Sequence, residues 1–529
     1  MAKKVQKELA LEQILWNCRD ILRGKVEKAD NRNAVLSLTF LKFAGEKFEE
    51  RRVAFLEELK SKGLPQNAIE NLLENPAGYG SVNVFYLQPH CRWTYIVEHA
   101  ADTSIANILD TAMADIEQQN SVLEGALPQR FFTSRSNVDT KLLKALIDEI
   151  NKISPERFHE KDLIGRVYEY FLQEFSIDER KDKGEFYTPK CIVDLIAELI
   201  EPFKGTIYDP CCGSGGMFVQ SLRFVEAHGG NTANISVYGQ ESTPSTFQLA
   251  KMNLAIRGIS HNLGRQPASS FSDDQHKDLK FDFIMANPPF NLKKWRAADE
   301  LTTDPRWSGY TTPPESNANY AWILHMLSKL DVTSGIAGFL LANGALGADG
   351  VEYEIRKQLI ENDKVEAIIV LPREMFYSTD ISVTLWVLNN NKKNTDAADS
   401  TQKRDRTNEI LFVDLRTWNT NIYEKSYVQF TSEQIAAIKR IYSDFQDINR
   451  AGKYEKPELY RAVKIEELRE KKHSLVPSQY IEFIDRDLQI DHQAEMSRVQ
   501  SEMKELLKRE KQSQKQLAKA FKKLGYSIN

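Results

Sequence analysis

Between about residues 155 and 415, short apolar runs alternate with helical stretches, and this alternation constrains the chain to a doubly wound α/β sheet covered by helices on both faces. The candidate strands are Thr206 to Tyr208, Ile235 to Tyr238, Phe281 to Ala286, Gly338 to Leu341, Val365 to Leu371 and Ile381 to Leu388, with Ile410 to Val413 as the next. Asn389 to Asn408 is polar, charged and of low complexity, so it reads as a surface loop between two strands. A chain of 529 residues exceeds what one ordinary core supports, and two or three domains are expected. The boundaries read as a helical N-terminal domain over 1–150, the α/β domain over 155–475 and a helical tail over 480–529.

The N-terminal part lacks the alternation of strands. Leu9, Ile14, Trp16, Ile21 and Leu22 supply apolar positions for a first helix, and Val35, Leu36, Leu38, Phe40, Leu41 and Phe43 form a denser second one. Glu49-Glu50-Arg51-Arg52 reads as a solvated helix face. Phe85, Tyr86, His90 and Trp93 read as core packing or a turn rather than a binding site. At the other end, Met496, Val499, Met503 and Leu506 follow a seven-residue pattern that Glu510 and Ser513 interrupt before Leu517, Ala520 and Leu524 resume it. The other faces of this tail are rich in lysine, including Lys504, Lys508, Lys511 and Lys515. Two placements stay open: on the protein's own body, or on a partner or phosphates.

Charge and cysteine usage exclude several classes. The net charge of −5 gives no global basic field, so nucleic-acid binding must come from local patches or from a partner. The five cysteines (Cys18, Cys91, Cys191, Cys211 and Cys212) show no CxxC spacing, which argues for reduced thiols in the cytoplasm and against a metal site or a disulfide frame. No apolar run is long enough to span a membrane, and the charged start is unlike a signal peptide.

Four segments carry the chemistry. Ile207-Tyr208-Asp209-Pro210-Cys211-Cys212-Gly213-Ser214-Gly215-Gly216 is a strand, a glycine-rich turn and a helix beginning near Met217, with glycines that let a ligand approach the backbone. It carries neither a P-loop Lys-Ser/Thr pair nor the GxGxxG spacing, and Asp209 before the turn suits a cationic group such as an ammonium. Glu241 ends the next strand, where a ribose diol would be held. Gly184-Glu185-Phe186-Tyr187-Thr188-Pro189-Lys190 precedes a helix starting near Cys191, with Thr188 a candidate cap and Pro189 at the first helical position. Finally, Asn287-Pro288-Pro289-Phe290 closes a buried strand. An amide and carbonyls at a strand end can accept from an exocyclic amino group, and Phe290 offers a stacking face, although Asn-Pro is also ordinary turn chemistry.

In this order the segments resemble the S-adenosylmethionine-dependent DNA adenine-N6 methyltransferases, and more narrowly the modification (M) subunit of type I restriction-modification systems, over nearly the whole chain. The resemblance implies a Rossmann-like methyltransferase domain. It assigns cofactor contact to Glu185, Phe186, Tyr187, Thr188, Pro189, Lys190, Ser214, Gly215, Gly216 and Glu241, with Asp209 and Gly213 in the same loop. Glu185 stands where relatives often carry Gln. A contact to the cofactor's adenine is expected near Ser270 to Asp274, from Asp273 or Asp274.

Asn287, Pro288, Pro289 and Phe290 would then be catalytic, acting on an adenine flipped out of DNA. Phe376, in the segment Pro372 to Tyr377, is a candidate second aromatic, with core packing the alternative. The loop Asn291 to Asn319 either closes over DNA, with Lys293, Lys294, Arg296 and Arg306 on phosphates, or is ordered only by a partner. The absence of a recognition domain implies a separate specificity (S) subunit, with two M chains per S subunit, and a motor-nuclease (R) subunit in the full complex. Alternatives are an RNA or protein-glutamine acceptor, or a scaffold that binds the cofactor without catalysis.

Overall fold

The computed structural model describes residues 11–25, 28–134, 138–155, 188–376, 382–393, 403–418, 428–450, 452–483 and 492–523. Its centre is a ten-stranded sheet in the order β3-β2-β1-β4-β5-β7-β6-β8-β10-β9. The strands are β1 Gly205–Asp209, β2 Ile235–Gly239, β3 His261–Asn262, β4 Phe283–Ala286, β5 Ile336–Ala342, β6 Val365–Val370, β7 Val383–Asn389, β8 Glu409–Asp414, β9 Glu455–Lys456 and β10 Tyr460–Lys464. Strands β3-β2-β1-β4-β5 are mutually parallel. Strand β7 runs antiparallel between β5 and β6, and β8 is parallel to β6.

All seven expected strands form, each within two residues of its reading at the ends. Strands β6 and β7 are buried along their whole length, which is why they read as mostly apolar runs rather than alternating ones, with Glu366, Thr384 and Asn389 as their polar members. Just ahead of β4, the Asp282 carboxylate accepts from both the backbone N–H and the hydroxyl of Thr206 at 2.8 Å, tying the start of β4 to β1. Three strands escaped the sequence reading. β3 and β9 have two residues each, and β10 carries Arg461 and Lys464 among its apolar positions.

Two apolar layers sandwich the sheet. On one face lie Lys190–Ile200, Gly216–Ala227 and Ser432–Gln446; on the other lie Asn319–Lys329 and Val351–Glu361. The helix Pro244–Ile256 is apolar on two sides. Phe247, Ala250 and Leu254 join the sheet core, whereas Leu249, Met252 and Ala255 join the N-terminal core. Lys251 adds a hydrogen bond to the Glu124 carbonyl at 2.9 Å.

The N-terminal region is helical, built from Leu11–Leu22, Lys28–Ser61, Gln66–Leu73, Ile105–Gln119, Thr140–Ile150 and shorter turns. The first helix buries Leu11, Ile14, Leu15, Cys18 and Leu22 at helical spacing, and Trp16, off that stripe, is 48% exposed instead of packed. Leu9 lies outside the described residues. Phe85, Tyr86 and Trp93 are core residues, and His90 pairs with Asp115 at 2.7 Å. With Cys91 these two form a trio whose ligand atoms could hold a metal ion; burial pushes the Cys91 thiol up to about 12, which favours its neutral form. The tail forms one helix, His492–Lys523, whose apolar residues Met496, Val499, Met503, Leu506, Leu507, Leu517 and Phe521 are exposed. Packing on the protein's own body is thus not what the helix does.

The strands of the sheet's far half are joined by a buried charge. Glu366 on β6 is fully buried and accepts from Arg406 at 2.5 Å, from Asn389 on β7 at 2.5 Å and from Tyr442 at 2.9 Å. Removing one partner of such a pair strands the other without solvation. Arg406→Ala is therefore expected to destabilise this half by about 3–5 kcal/mol, read as a lower urea midpoint, and Glu366→Gln by less because the amide can still bond Asn389 and Tyr442.

Candidate active site

Strand order reverses between β1 and β4, and their parallel register, Ile207 to Phe283 and Tyr208 to Ile284, brings both carboxyl ends to one edge. A crevice opens at such a switch point in a doubly wound sheet. The chain leaves β1 through Asp209 to Gly215 and leaves β4 into Asn287 to Phe290.

The loop after β1 needs its glycines. Gly213 and Gly215 have φ of +53° and +77°, and Gly215 is the N-cap of Gly216–Ala227. A Cβ at Gly213 or Gly216 would meet nothing within 4 Å, so open space faces the loop there. The loop is stitched to the end of β2. Cys212 N–H donates to the Gln240 carbonyl at 3.0 Å, and Gly213 N–H donates to Glu241 Oε2 at 3.1 Å. Thr243 N–H donates to Glu241 Oε1 at 2.8 Å. From beneath, Asn253 donates to the Ser214 carbonyl at 2.7 Å. Asp209 is buried, accepts from Cys211 N–H at 2.9 Å, and has its carboxyl pushed up to about 7 by burial, with the Glu241 charge adding to the shift.

The segment expected to face a cofactor's adenine runs beside these groups. Ala268 N–H donates to the Glu241 carbonyl at 2.9 Å, the Gln240 amide donates to the Ala268 and Asp273 carbonyls, and Ser270 Oγ donates to the Pro210 carbonyl at 2.5 Å. Asp274 is committed elsewhere, to buried Lys329 at 2.6 Å, while the Asp273 side chain is exposed.

Asn287 donates from Nδ2 to Thr188 Oγ1 at 2.9 Å, and its Oδ1 is buried with no hydrogen-bond partner among the described residues. Thr188 therefore uses its hydroxyl on the turn after β4. The N-cap of Lys190–Ile200 is Pro189, with no side-chain cap, which corrects the expected roles of both residues. Lys190 pairs with Asp194 at 2.6 Å within that helix. Glu185, Phe186 and Tyr187 lie outside the described residues. Phe290 meets Phe376 edge-on at 6.4 Å between ring centroids, and Phe376 is itself buried in the core, so it backs Phe290.

The loop after the turn differs from its reading as a phosphate-facing lid. Arg306 turns inward and donates to the Ser270 and Phe271 carbonyls at 2.7 and 2.6 Å and to Asp304 at 2.7 Å. Its Nη1 also meets His325, which bonds the Tyr208 hydroxyl at 3.2 Å and is kept neutral by burial and by the Arg306 and Lys329 charges. Arg296 is spent on the carbonyls of Ala297, Ala298, Glu300 and Pro313. Trp307 is buried; Lys293 and Lys294 are exposed.

Sequence reasoning missed a clamp on the turn that follows β4. Asn291 has a φ of +54°, its N–H donates to Asn319 Oδ1 at 2.9 Å, and Asn319 Nδ2 returns a bond to Asn291 Oδ1 at 2.9 Å. Asn319 is buried at the start of its helix. The only signal was an asparagine-rich run before a helical stretch, which reads as a cap.

Comparison with known proteins gives a consistent set of relatives. Residues 159–487 match the family model described as N-6 DNA methylase, and residues 11–150 match the HsdM N-terminal domain. The MjaIX methylase subunit of a type I restriction enzyme from Methanocaldococcus jannaschii is 33% identical over 97% of this chain and 91% of its own length. The HindI methylase subunit from Haemophilus influenzae is 41% identical over 72% and 83%. In fold, the chain is similar to a type I restriction-modification methyltransferase subunit from Streptococcus thermophilus, at a TM-score of 0.72, 24% identity and coverage of 90% and 99%.

The raised carboxyl at the β1 end makes a prediction about stability. The folded state keeps a proton on Asp209 that the unfolded chain, with an ordinary value of 3.8, releases. Stability from this group is therefore greatest below pH 4, falls as pH rises toward about 7, and levels off above it. Asp209→Asn keeps an acceptor for Cys211 N–H and removes the penalty. Its unfolding free energy is expected to gain on the parent's between pH 5 and 8, by up to about 4 kcal/mol; parallel pH profiles for the two proteins would overturn this.

Proposed function

The chain belongs to the N-6 DNA methylase family, as a methylase subunit of type I restriction-modification enzymes, and from that premise we propose how its residues carry a methyl group to adenine N6 in DNA. The observation that carries the reading is the Asn287 amide, with its NH2 end engaged and its buried oxygen left without a partner among the described residues. An unpaired buried acceptor costs free energy, and a substrate N–H donor relieves it.

S-adenosylmethionine supplies the methyl group on a cationic sulfur. The residues fit it: the glycine loop is open at Gly213 and Gly216, and Glu241 stands just past the end of the adjoining strand β2. We assign cofactor contact to Gly213, Ser214, Gly215, Gly216 and Glu241, with Asp209 in the same loop, and Glu185, Phe186, Tyr187, Pro189 and Lys190 remain candidates from the family resemblance. The adenine reaches the site by flipping from the duplex, at a cost of a few kcal/mol. Asn287 Oδ1 and the Pro288 carbonyl accept its N6 hydrogens and draw the nitrogen toward tetrahedral geometry. Pro289 stiffens the turn, and Phe290, backed by Phe376, stacks on the base. As the N6–methyl bond would form, the methyl–sulfur bond would break, and the extra proton on N6 would pass to water, so catalysis rests on orientation and charge placement.

We read the chain as three parts: helices over 1–150, the catalytic region over 155–475 and the tail over 480–529. Target choice falls to a specificity subunit, with two copies of this chain flanking one, and cleavage to a motor-nuclease subunit. Support comes from the exposed apolar residues of His492–Lys523 and from inward-turned Arg296 and Arg306, which leave few cations at the turn to hold DNA. The reduced cysteines fit a cytoplasmic enzyme, and none of the described helices is long and apolar enough to cross a membrane. RNA or protein glutamine as acceptor is disfavoured by the family assignment and by the matched N-terminal domain.

Asn287→Ala is expected to lower methyl transfer by roughly a hundredfold or more while cofactor affinity changes little, checked by labelled-methyl transfer beside calorimetric cofactor binding. Equal losses in both would remove Asn287 from the acceptor role. Leu506→Asp with Leu517→Asp should abolish assembly with the specificity subunit and leave cofactor binding intact. The unpartnered chain should bind the cofactor yet methylate DNA poorly; efficient site-specific methylation by the chain alone would sink the partner assignment.

A further inference from the structure

We propose that Thr188 is a positioning residue for Asn287, acting on methyl transfer through the orientation of the catalytic amide. The inference rests on the reading of Asn287 as the acceptor of the target amine.

Three features of the chain place Thr188 in that role. First, its hydroxyl is not needed at the helix it precedes. Pro189 occupies the N-cap, and the Pro189 carbonyl already takes the Ile192 and Val193 N–H groups at 3.0 and 3.2 Å. Second, the hydroxyl meets a group 99 residues away in the chain, Asn287 Nδ2, at 2.9 Å. Third, the support is stiff. A residue before proline is held extended, a β-branched side chain has few χ1 states, and the following helix is anchored by buried Cys191, Ile192, Val193, Leu195 and Ile196.

An asparagine amide turns easily about its last torsion, where the energy wells are broad. With Nδ2 engaged by Thr188, the end left without a partner is Oδ1, the end able to accept an N–H from an amine. Without the Thr188 acceptor, the amide can present its NH2 end, which repels the hydrogens of the target amine. Thr188 also lies in the segment that the family resemblance assigns to the cofactor. A cofactor ligand and a positioning residue make different kinetic predictions.

The test uses the full complex with its specificity subunit and a DNA substrate. Thr188→Val keeps the shape and removes the acceptor; Thr188→Ser restores the hydroxyl. The expected result is a fall in kcat of roughly tenfold to a hundredfold for Thr188→Val, with the KM and Kd for S-adenosylmethionine within about twofold of the parent. Thr188→Ser should recover most of the loss, and Thr188→Val should cost nothing further in an Asn287→Ala background. A raised Kd for S-adenosylmethionine with kcat intact at saturation would make Thr188 a cofactor ligand and overturn the proposal. So would equal losses in Thr188→Val and Thr188→Ser, or additive losses with Asn287→Ala. If Asn287→Ala itself stays active, the acceptor reading fails, an outcome distinct from a failure of Thr188 alone.

Discussion

The parallel pairing of β1 with β4 is the constraint on which the rest of the site depends. It sets Tyr208 beside Ile284, so the glycine loop that follows Asp209 and the turn that follows Ala286 leave the sheet at the same edge. The strands supply this juxtaposition because they are buried on both faces, and a one-residue slip would exchange the side chains facing the two layers. Tyr208 illustrates the cost of a slip: its ring stacks on Phe281 at 4.4 Å and its hydroxyl meets His325, both specific to one face.

Around that pairing, hydrogen bonds tie each mobile-looking segment to another part of the site. Ser270 links the segment before β4 to Pro210 in the glycine loop, and Arg306 holds the carbonyls of Ser270 and Phe271 from the far side. Asn319 clamps Asn291 just after the turn that follows β4, while Thr188 holds Asn287 within it. The turn is thereby gripped through both a side chain and the backbone. That preorganisation suits a reaction in which a small misplacement of the reacting atoms costs rate steeply.

Seven of the ten strands were legible because they are short, largely buried and mostly apolar runs, and the glycine loop because positive φ selects glycine. Where reading failed, the residues had two physical uses. Thr188 before a proline looks like a helix cap, and only the fold shows that Pro189 takes the cap while the hydroxyl reaches Asn287. Arg296 and Arg306 in a polar loop look like phosphate ligands, yet their guanidinium groups satisfy carbonyls that a compact irregular loop leaves unpaired. Asn319 reads as a helix cap, and nothing local points to its partner Asn291, which lies 28 positions away. Trp16 was an error of periodicity: the spacing of Leu11, Ile14, Leu15, Cys18 and Leu22 already excluded it from the buried stripe.

Electrostatics and the tail together explain why such a site would need a partner to reach its substrate. DNA affinity comes largely from cations placed on phosphates. This chain has a net charge of −5, and the two arginines nearest the catalytic turn in sequence are turned inward. Lys293 and Lys294 remain exposed there, too few to hold a duplex while a base is flipped. By contrast the helix His492–Lys523 presents Met503, Leu506, Leu507 and Leu517 to solvent, an apolar cost that a lone chain has no reason to carry. A partner that covers those residues and brings its own cations to DNA resolves both imbalances at once. Under the proposed division the chemistry would stay with Asn287, and the choice of sequence would rest with the chain that holds the DNA.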